Sequence, residues 1–188
     1  MEQHFSSLRN HFLIAMPSLS EGIFAHSVTY LCEHSEQGAM GIVINRPAGI
    51  ALGEILEQLD IDGELSHLDD PVMVGGPVQT DRGFVLHRHD DRRWDATLSI
   101  SDEISLTTSV DILDALAHDR GPHASLVALG YAGWDAGQLE EEIAANSWLT
   151  IPADSNIIFD TPIAERLDAA AAKLGIDLAL IAPGAGHA

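Results

Sequence analysis

Short segments that are apolar at every position alternate along the chain with segments that are apolar at every third or fourth. FLIAM (12–16), AMGIVI (39–44) and SLVALG (125–130) offer apolar side chains to both faces of an extended backbone, so each predicts a strand covered on both sides. HSVTYLCE (26–33) predicts another strand, and the short polar link HSEQG to the next one predicts an antiparallel hairpin. The sheet is then mixed rather than wholly parallel. GFVLH (83–87), ATLSIS (96–101) and NIIF (156–159) are shorter strand candidates. Leu52, Ile55, Leu56 and Leu59 form a helical stripe, as do Val110, Leu113 and Ala117 in a helix that stops at Gly121-Pro122. A third stripe, Ile163, Leu167, Ala170 and Leu174, is opened by Thr161 as cap and Pro162 in the first turn, and closed by Gly175. Without a repeat or a low-complexity linker, residues 1–188 read as a single α+β domain with room for a smaller lobe, and 183–188 as a flexible tail.

Composition narrows the setting. A chain of 188 residues can bury roughly 70% of its unfolded surface. No apolar run approaches the ~20 residues that span a bilayer, and MEQHFSSLRNHFLIAMP lacks the basic flank of an export signal, so a soluble protein of the cytoplasm is expected. Twenty-nine acidic against nine basic residues give a net charge of −20, which repels nucleic acid and acidic membrane surfaces. Four of the cations, Arg82, Arg88, Arg92 and Arg93, fall close together and allow one local basic patch. Cys32 stands alone, which excludes a disulfide framework and a cysteine-based zinc cluster.

The stretch LGYAGWDAGQLEEEI (129–143) carries the densest signal. A strand is expected to end at Gly130-Tyr131, a turn to run through Ala132-Gly133-Trp134, and a helix to begin near Asp135, with Asp135 and Gln138 spaced as a capping pair. Glu140, Glu141 and Glu142 follow in the first two turns, so the helix N-terminus is already occupied and its surround is acidic, which is unsuited to phosphate. Tyr131, Trp134, Gln138 and Glu140 are better placed as core cover or as the wall of a small-molecule cleft. Cys32 and His34 have the spacing of one strand face, where a thiol and an imidazole can make a nucleophile, with Glu33 between them. Cys32, however, continues the apolar face of Val28 and Tyr30 and reads as a buried, inert thiol, while His34 opens a polar loop and is expected to be exposed. Glu33 and His34 are the catalytic candidates.

Asn45 and Arg46 emerge at the end of a fully apolar strand, and Arg46 suits a carboxylate, internal or bound. Gly75 and Gly76 present two successive N–H groups before Pro77, which can form an oxyanion nest or simply serve a sharp bend. Ser18 and Ser20 lack the glycine frame of a nucleophile elbow. His87 and His89, followed by Asp90 and Asp91, lie among arginines that oppose a cation, so neither metal nor cofactor is expected.

Four stretches in order, HFLIAMPSL, SVTYLCEHSEQGAMGIVINRP, GGPVQTDRGFVLH and LGYAGWDAGQLEEEI followed by WL, resemble the YqgE/AlgH family of bacterial proteins from about residue 11 to about residue 180. The family pattern falls on Glu33, His34, Asn45, Arg46, Gly75, Gly76, His87, Tyr131, Trp134, Gln138 and Glu140, among others. The resemblance implies a bifurcated mixed sheet curled into a pseudo-barrel with flanking helices. The family has no established biochemical activity; some members are labelled transcriptional regulators in connection with alginate production, without a defined DNA-binding motif. The leading expectation is a binding or regulatory module for a small anionic metabolite or a protein partner, with one cleft built from Asn45-Arg46, Gly75-Gly76 and the 130–140 corner. The alternative is a hydrolase or transferase using His34 as acid/base and the Gly75-Gly76 amides as oxyanion donors.

Overall fold

A computed structural model describes residues 5–19, 22, 24–62 and 68–176. Ser20 and the 183–188 tail lie outside them. Among the described residues ten strands form one curled sheet, a half-barrel, whose main path runs β10-β1-β2-β3-β9-β6-β8-β7. They are β1 (His11–Ala15), β2 (Val28–Ser35), β3 (Gly38–Val43), β4 (Pro47–Ala51), β5 (Pro71–Val74), β6 (Val78–Arg88), β7 (Thr97–Ser99), β8 (Ile104–Thr107), β9 (Ser125–Asp135) and β10 (Trp148–Pro152). The β2–β3 hairpin is antiparallel, as its polar link predicts, and the parallel pairing of β5 with β9 makes the sheet mixed. β4 and β5 leave the main path, which is the bifurcation.

Strands apolar at every position are explained by three separate cores. Phe12 and Ile14 point into the hollow of the curl with Val28, Tyr30, Ile42 and Leu86, while Leu13 and Ala15 point outward onto Leu31, Trp134, Leu139 and Trp148. The third core packs α1 (Leu52–Gln58) and α2 (Asp111–Ala117) against Val72, Val85 and Val127. The hollow is closed along part of its length by α4 (Ser155–Phe159) and α5 (Arg166–Ala172), through Ile157, Ile158 and Ala170. Arg166, itself buried, ties α5 to the sheet by donating from Nη1 to the Ile44 carbonyl and from Nε to the Thr161 carbonyl at 3.0 Å.

Several local expectations differ from what the chain does. NIIF is a helix, not a strand, because Asp154 caps it by accepting the Asn156 N–H at 2.9 Å. Thr161 spends its hydroxyl on the Asn156 carbonyl instead of capping, and a short 3-10 turn, Ile163–Glu165, precedes α5. Val110 stands outside the α2 stripe at 53% exposure, with Ile112 and Leu116 completing the buried face. The largest difference is at the glycine motif, where β9 continues through Ala132-Gly133-Trp134 to Asp135 and α3 (Gln138–Ala144) starts only after Gly137, at φ +79°.

Candidate functional site

Two irregularities in the strands shape the hollow. Along β9, Leu126 and Ala128 face the inner core, whereas beyond Gly130 it is Tyr131 that faces it and Ala132 and Trp134 that face outward. Gly130, at φ +77° and at a break in the β6–β9 register, shifts the alternation by one residue. A Cβ there would stand 2.4 Å from the Gly76 carbonyl oxygen. The glycine thus turns Tyr131 inward and sends Trp134 to α3. β2 does the same at its bulge between Leu31 and Glu33: Cys32 belongs to the inner core, while His34 meets α3 on the outer side. The thiol and the imidazole expected on one face are therefore on opposite faces. Burial pushes the Cys32 thiol far above the ordinary range, with the Glu33 charge adding to it.

The part of the hollow that α4 and α5 leave unfilled is an open cleft of about 1160 Å³. Its walls are the ends of β2, β3 and β9 on one side and β6, β7 and β8 on the other. Met40, Phe84, Leu98, Leu106 and Tyr131 supply its apolar surface; Phe84 and Tyr131 meet edge to face, with centroids 5.5 Å apart. Two cations line it. Arg82 lies over the Phe84 ring at 5.7 Å, and Arg9 donates from Nη2 to the Ser99 carbonyl on the edge strand β7. Glu33, Asp95 and Asp135 are the carboxylates of the lining, so the cleft carries both signs of charge.

His34 is buried, not exposed, at the corner of this cleft. Its Nδ1 accepts the Leu8 N–H at 2.8 Å, which places the ring proton on Nε2, where it is donated to Glu140 of α3. Burial pushes the Glu140 carboxyl up, but the hydrogen bond from His34 and its own backbone N–H outweigh this and hold it below the usual carboxylate range. With both nitrogens engaged, the imidazole works as a connector between α3 and the segment before β1, an arrangement unlike a general base awaiting substrate. Gln138 accepts the Asp135 N–H at 2.9 Å and donates to Glu142, so half of the expected capping pair forms although Gly137 is the cap residue.

Of the sequence candidates, Glu33, His34 and Tyr131 line the cleft, Trp134 borders it from β9 while its ring packs in the outer core, and Glu140 reaches it through His34. Asn45 and Arg46 do not. They line a separate hollow of about 290 Å³ with His26, Ile163 and Leu167, and Asn45 is occupied in accepting the Val28 N–H and donating to the His26 carbonyl. Gly75 and Gly76 are buried rather than presented to a cavity: Gly75 N–H donates to Leu129, and a Cβ on Gly76 would sit 2.0 Å from the Tyr131 carbonyl carbon. These glycines let two backbones cross. The expected arginine patch is also dispersed. Arg88 binds Ser155, Asn156 and Asp160, and Arg92 binds Asp90 and the Arg120 and Gly121 carbonyls. His87 is buried against Thr107, its pKa lowered by that burial. Among the described residues no group of three or more side chains is placed to hold a metal, and no helix is long and apolar enough to cross a membrane. Sequence reasoning missed Arg9, Arg82, Phe84 and Leu98 as cleft residues; Arg82 and Phe84 stand within the GGPVQTDRGFVLH stretch, but only the curl of the sheet brings the four together.

The family model described as AlgH-like matches residues 12–179. A UPF0301 protein of Saccharophagus degradans is 58% identical over 184 residues, covering 98% of this chain and 90% of its own. The UPF0301 protein AlgH of Pseudomonas aeruginosa is 55% identical over 185 residues, with 96% of each chain covered. The solution structure of AlgH from that organism superposes with a TM-score of 0.80 at 53% identity over 100% of both chains. A crystal structure of a Corynebacterium diphtheriae protein has the same fold, with a TM-score of 0.74 at 19% identity, covering 97% of this chain and 94% of its own. In sequence and in the half-barrel itself, the chain belongs to the AlgH-like family.

Proposed function

We propose that the protein is a binding module of the cytoplasm, that the open end of its half-barrel takes a small amphipathic metabolite with an anionic group, and that occupancy is relayed to a protein partner. The observation that carries this reading is the cleft itself, the unfilled continuation of the main core, in which apolar side chains and two arginines face the same space. A planar apolar portion would lie against Tyr131, Phe84 and Met40 while Arg82 or Arg9 takes the anion. Its volume exceeds what one side chain would fill and suits a ligand of drug size. The regulatory part of the reading draws on the AlgH name of a relative and does not require contact with DNA, which the net charge of −20 opposes.

The test uses 8-anilinonaphthalene-1-sulfonate, which combines planar rings with a fixed anion. Fluorescence titration should give a saturable site that Arg82→Ala and Tyr131→Ala weaken about tenfold each and Arg46→Ala leaves unchanged. A loss of affinity for the uncharged N-phenyl-1-naphthylamine in Arg82→Ala as large as that for the sulfonate would remove the anion from the proposal. An unchanged dye affinity in both cleft variants would remove the cleft.

A further inference from the structure

One residue of the cleft lining, Arg9, is supplied by a segment without regular structure. Phe5–Arg9 runs along the end of β2 and is held there by His34 at three points: the Leu8 N–H on Nδ1 at 2.8 Å, the Ser7 hydroxyl on the His34 carbonyl at 3.0 Å, and the edge of the Phe5 ring on the imidazole at 4.8 Å. The segment delivers Arg9, which reaches across the cleft mouth to the Ser99 carbonyl on β7. In this position Arg9 Nε is buried and has no hydrogen-bond partner among the described residues. A guanidinium with an unsatisfied buried donor is held at a cost, and an anion that offered two acceptor oxygens would satisfy it better than one carbonyl does.

Resting on the reading of the cleft as a ligand site, we infer that Arg9 joins Arg82 in gripping the ligand's anionic group, and that His34 is a positioning residue whose unprotonated Nδ1 keeps Arg9 in place. The logic follows from hydrogen-bond chemistry. Neutral His34 can accept the Leu8 N–H only because its proton sits on Nε2 toward Glu140. A second proton turns Nδ1 into a donor facing a donor, so the Leu8 bond is lost while the bond to Glu140 is strengthened. The other charged groups around this corner are Glu33 beside His34 on β2, Asp135 on β9 and Arg9 itself. Protonation of His34 therefore lowers ligand affinity without any change in the groups that touch the apolar part of the ligand.

The experiment is a pH titration of the whole isotope-labelled chain, from about pH 8 to about pH 5, following the His34 ring and the Leu8 amide by NMR, with the sulfonate dye titrated at the same pH values. The Leu8 amide should move with the midpoint of the His34 ring, and dye affinity should fall about tenfold across that midpoint. In His34→Asn the amide oxygen can stand in for Nδ1 but takes no proton, so this variant should keep the high-pH affinity and lose the pH dependence. Arg9→Gln should bind weakly at both ends of the range. A Leu8 amide that stays still while the His34 ring titrates overturns the positioning role, as does a His34→Asn variant with the original pH profile. Tight dye binding by Arg9→Gln at high pH overturns the grip by Arg9. A failure of the dye to bind at any pH removes the ligand site and Arg9's role with it, whereas the Leu8 response is read without ligand, so the two failures are told apart.

Discussion

Removal of the Glu142 carboxylate is expected to loosen the helix on which the cleft corner depends. Glu142 Oε1 accepts two indole protons, from Trp134 at 3.1 Å and from Trp148 at 3.0 Å, and its Oε2 accepts the Gln138 amide at 2.9 Å. The indoles are 6% and 3% exposed and meet edge to face at 6.0 Å, so water does not readily replace the carboxylate at both. Each buried donor left dry costs about 1–3 kcal/mol, and because Glu142 is itself half-buried one of the two will be partly rehydrated, giving about 2–4 kcal/mol for Glu142→Ala. For a chain of this size that corresponds to a Tm lowered by roughly 4–16 °C. Glu142→Gln keeps an oxygen able to accept from both indoles and should cost less than about 1.5 kcal/mol. The assay is urea unfolding followed by circular dichroism, with the cycle completed in Trp148→Phe, where one donor is absent and the cost of Glu142→Ala should drop by about 1 kcal/mol or more. A Glu142→Ala variant within about 0.5 kcal/mol of the parent would refute the reasoning, because it would mean that the two indole donors find acceptors without it.

Gly76→Ala places a Cβ 2.0 Å from the Tyr131 carbonyl carbon and 2.3 Å from the Ala132 nitrogen, both backbone atoms, so β9 and the β5–β6 link must separate; thermal unfolding should show a loss of about 2–4 kcal/mol or no folding at all. Gly137→Ala meets nothing within 4 Å and pays only for its positive φ, about 1 kcal/mol, so equal losses in the two variants would contradict the crossing described here. Lys173, the chain's single lysine, hydrogen-bonds Asp154 at 2.6 Å and holds its carboxyl below the ordinary value near 3.8, with burial opposing and the Asn156 N–H assisting. A carboxyl with a depressed folded pKa stabilises fully above its unfolded pKa and loses that contribution as pH falls through the folded one. Thermal unfolding between about pH 5 and about pH 2 should therefore fall less steeply in Lys173→Met than in the parent, and parallel curves would deny the coupling.

The sequence already made several elements legible, and for identifiable reasons. The doubly apolar strands declared a sheet covered on both faces, the polar link after His34 declared a hairpin, and the stripe at Leu52, Ile55 and Leu56 declared α1. The glycine motif was read as the end of a strand because glycines usually interrupt strands. Here Gly130 interrupts only the alternation, and the strand runs on. That one-residue shift cannot be seen from spacing, since it depends on the Gly76 backbone crossing at the same point. The bulge at Cys32 hid the separation of Cys32 from His34 for the same reason. Of the cleft residues Tyr131 sits in a dense motif, but Arg9 and Arg82 come from segments more than seventy residues apart and meet only through the curl.

These two register shifts also explain why a mostly structural motif can govern a binding surface. After Gly130 the odd positions of β9 look into the cleft and the even ones onto α3, so Tyr131 and Trp134 act on opposite sides of one strand. Trp134 and Trp148 fasten α3 through Glu142, two residues beyond Glu140. Glu140 in turn takes the His34 proton, His34 accepts the Leu8 N–H, and the next residue is Arg9 in the cleft mouth. Trp134, Trp148 and His34 are buried, and such groups have few alternative partners, whereas Glu140 is exposed and is held through His34. A disturbance at the tryptophans should therefore reach Arg9 without altering any apolar residue of the cleft. In the Glu142→Ala variant this predicts weaker dye binding with an unchanged response to Tyr131→Ala, whereas an independent corner and cleft would leave the dye affinity at its parent value.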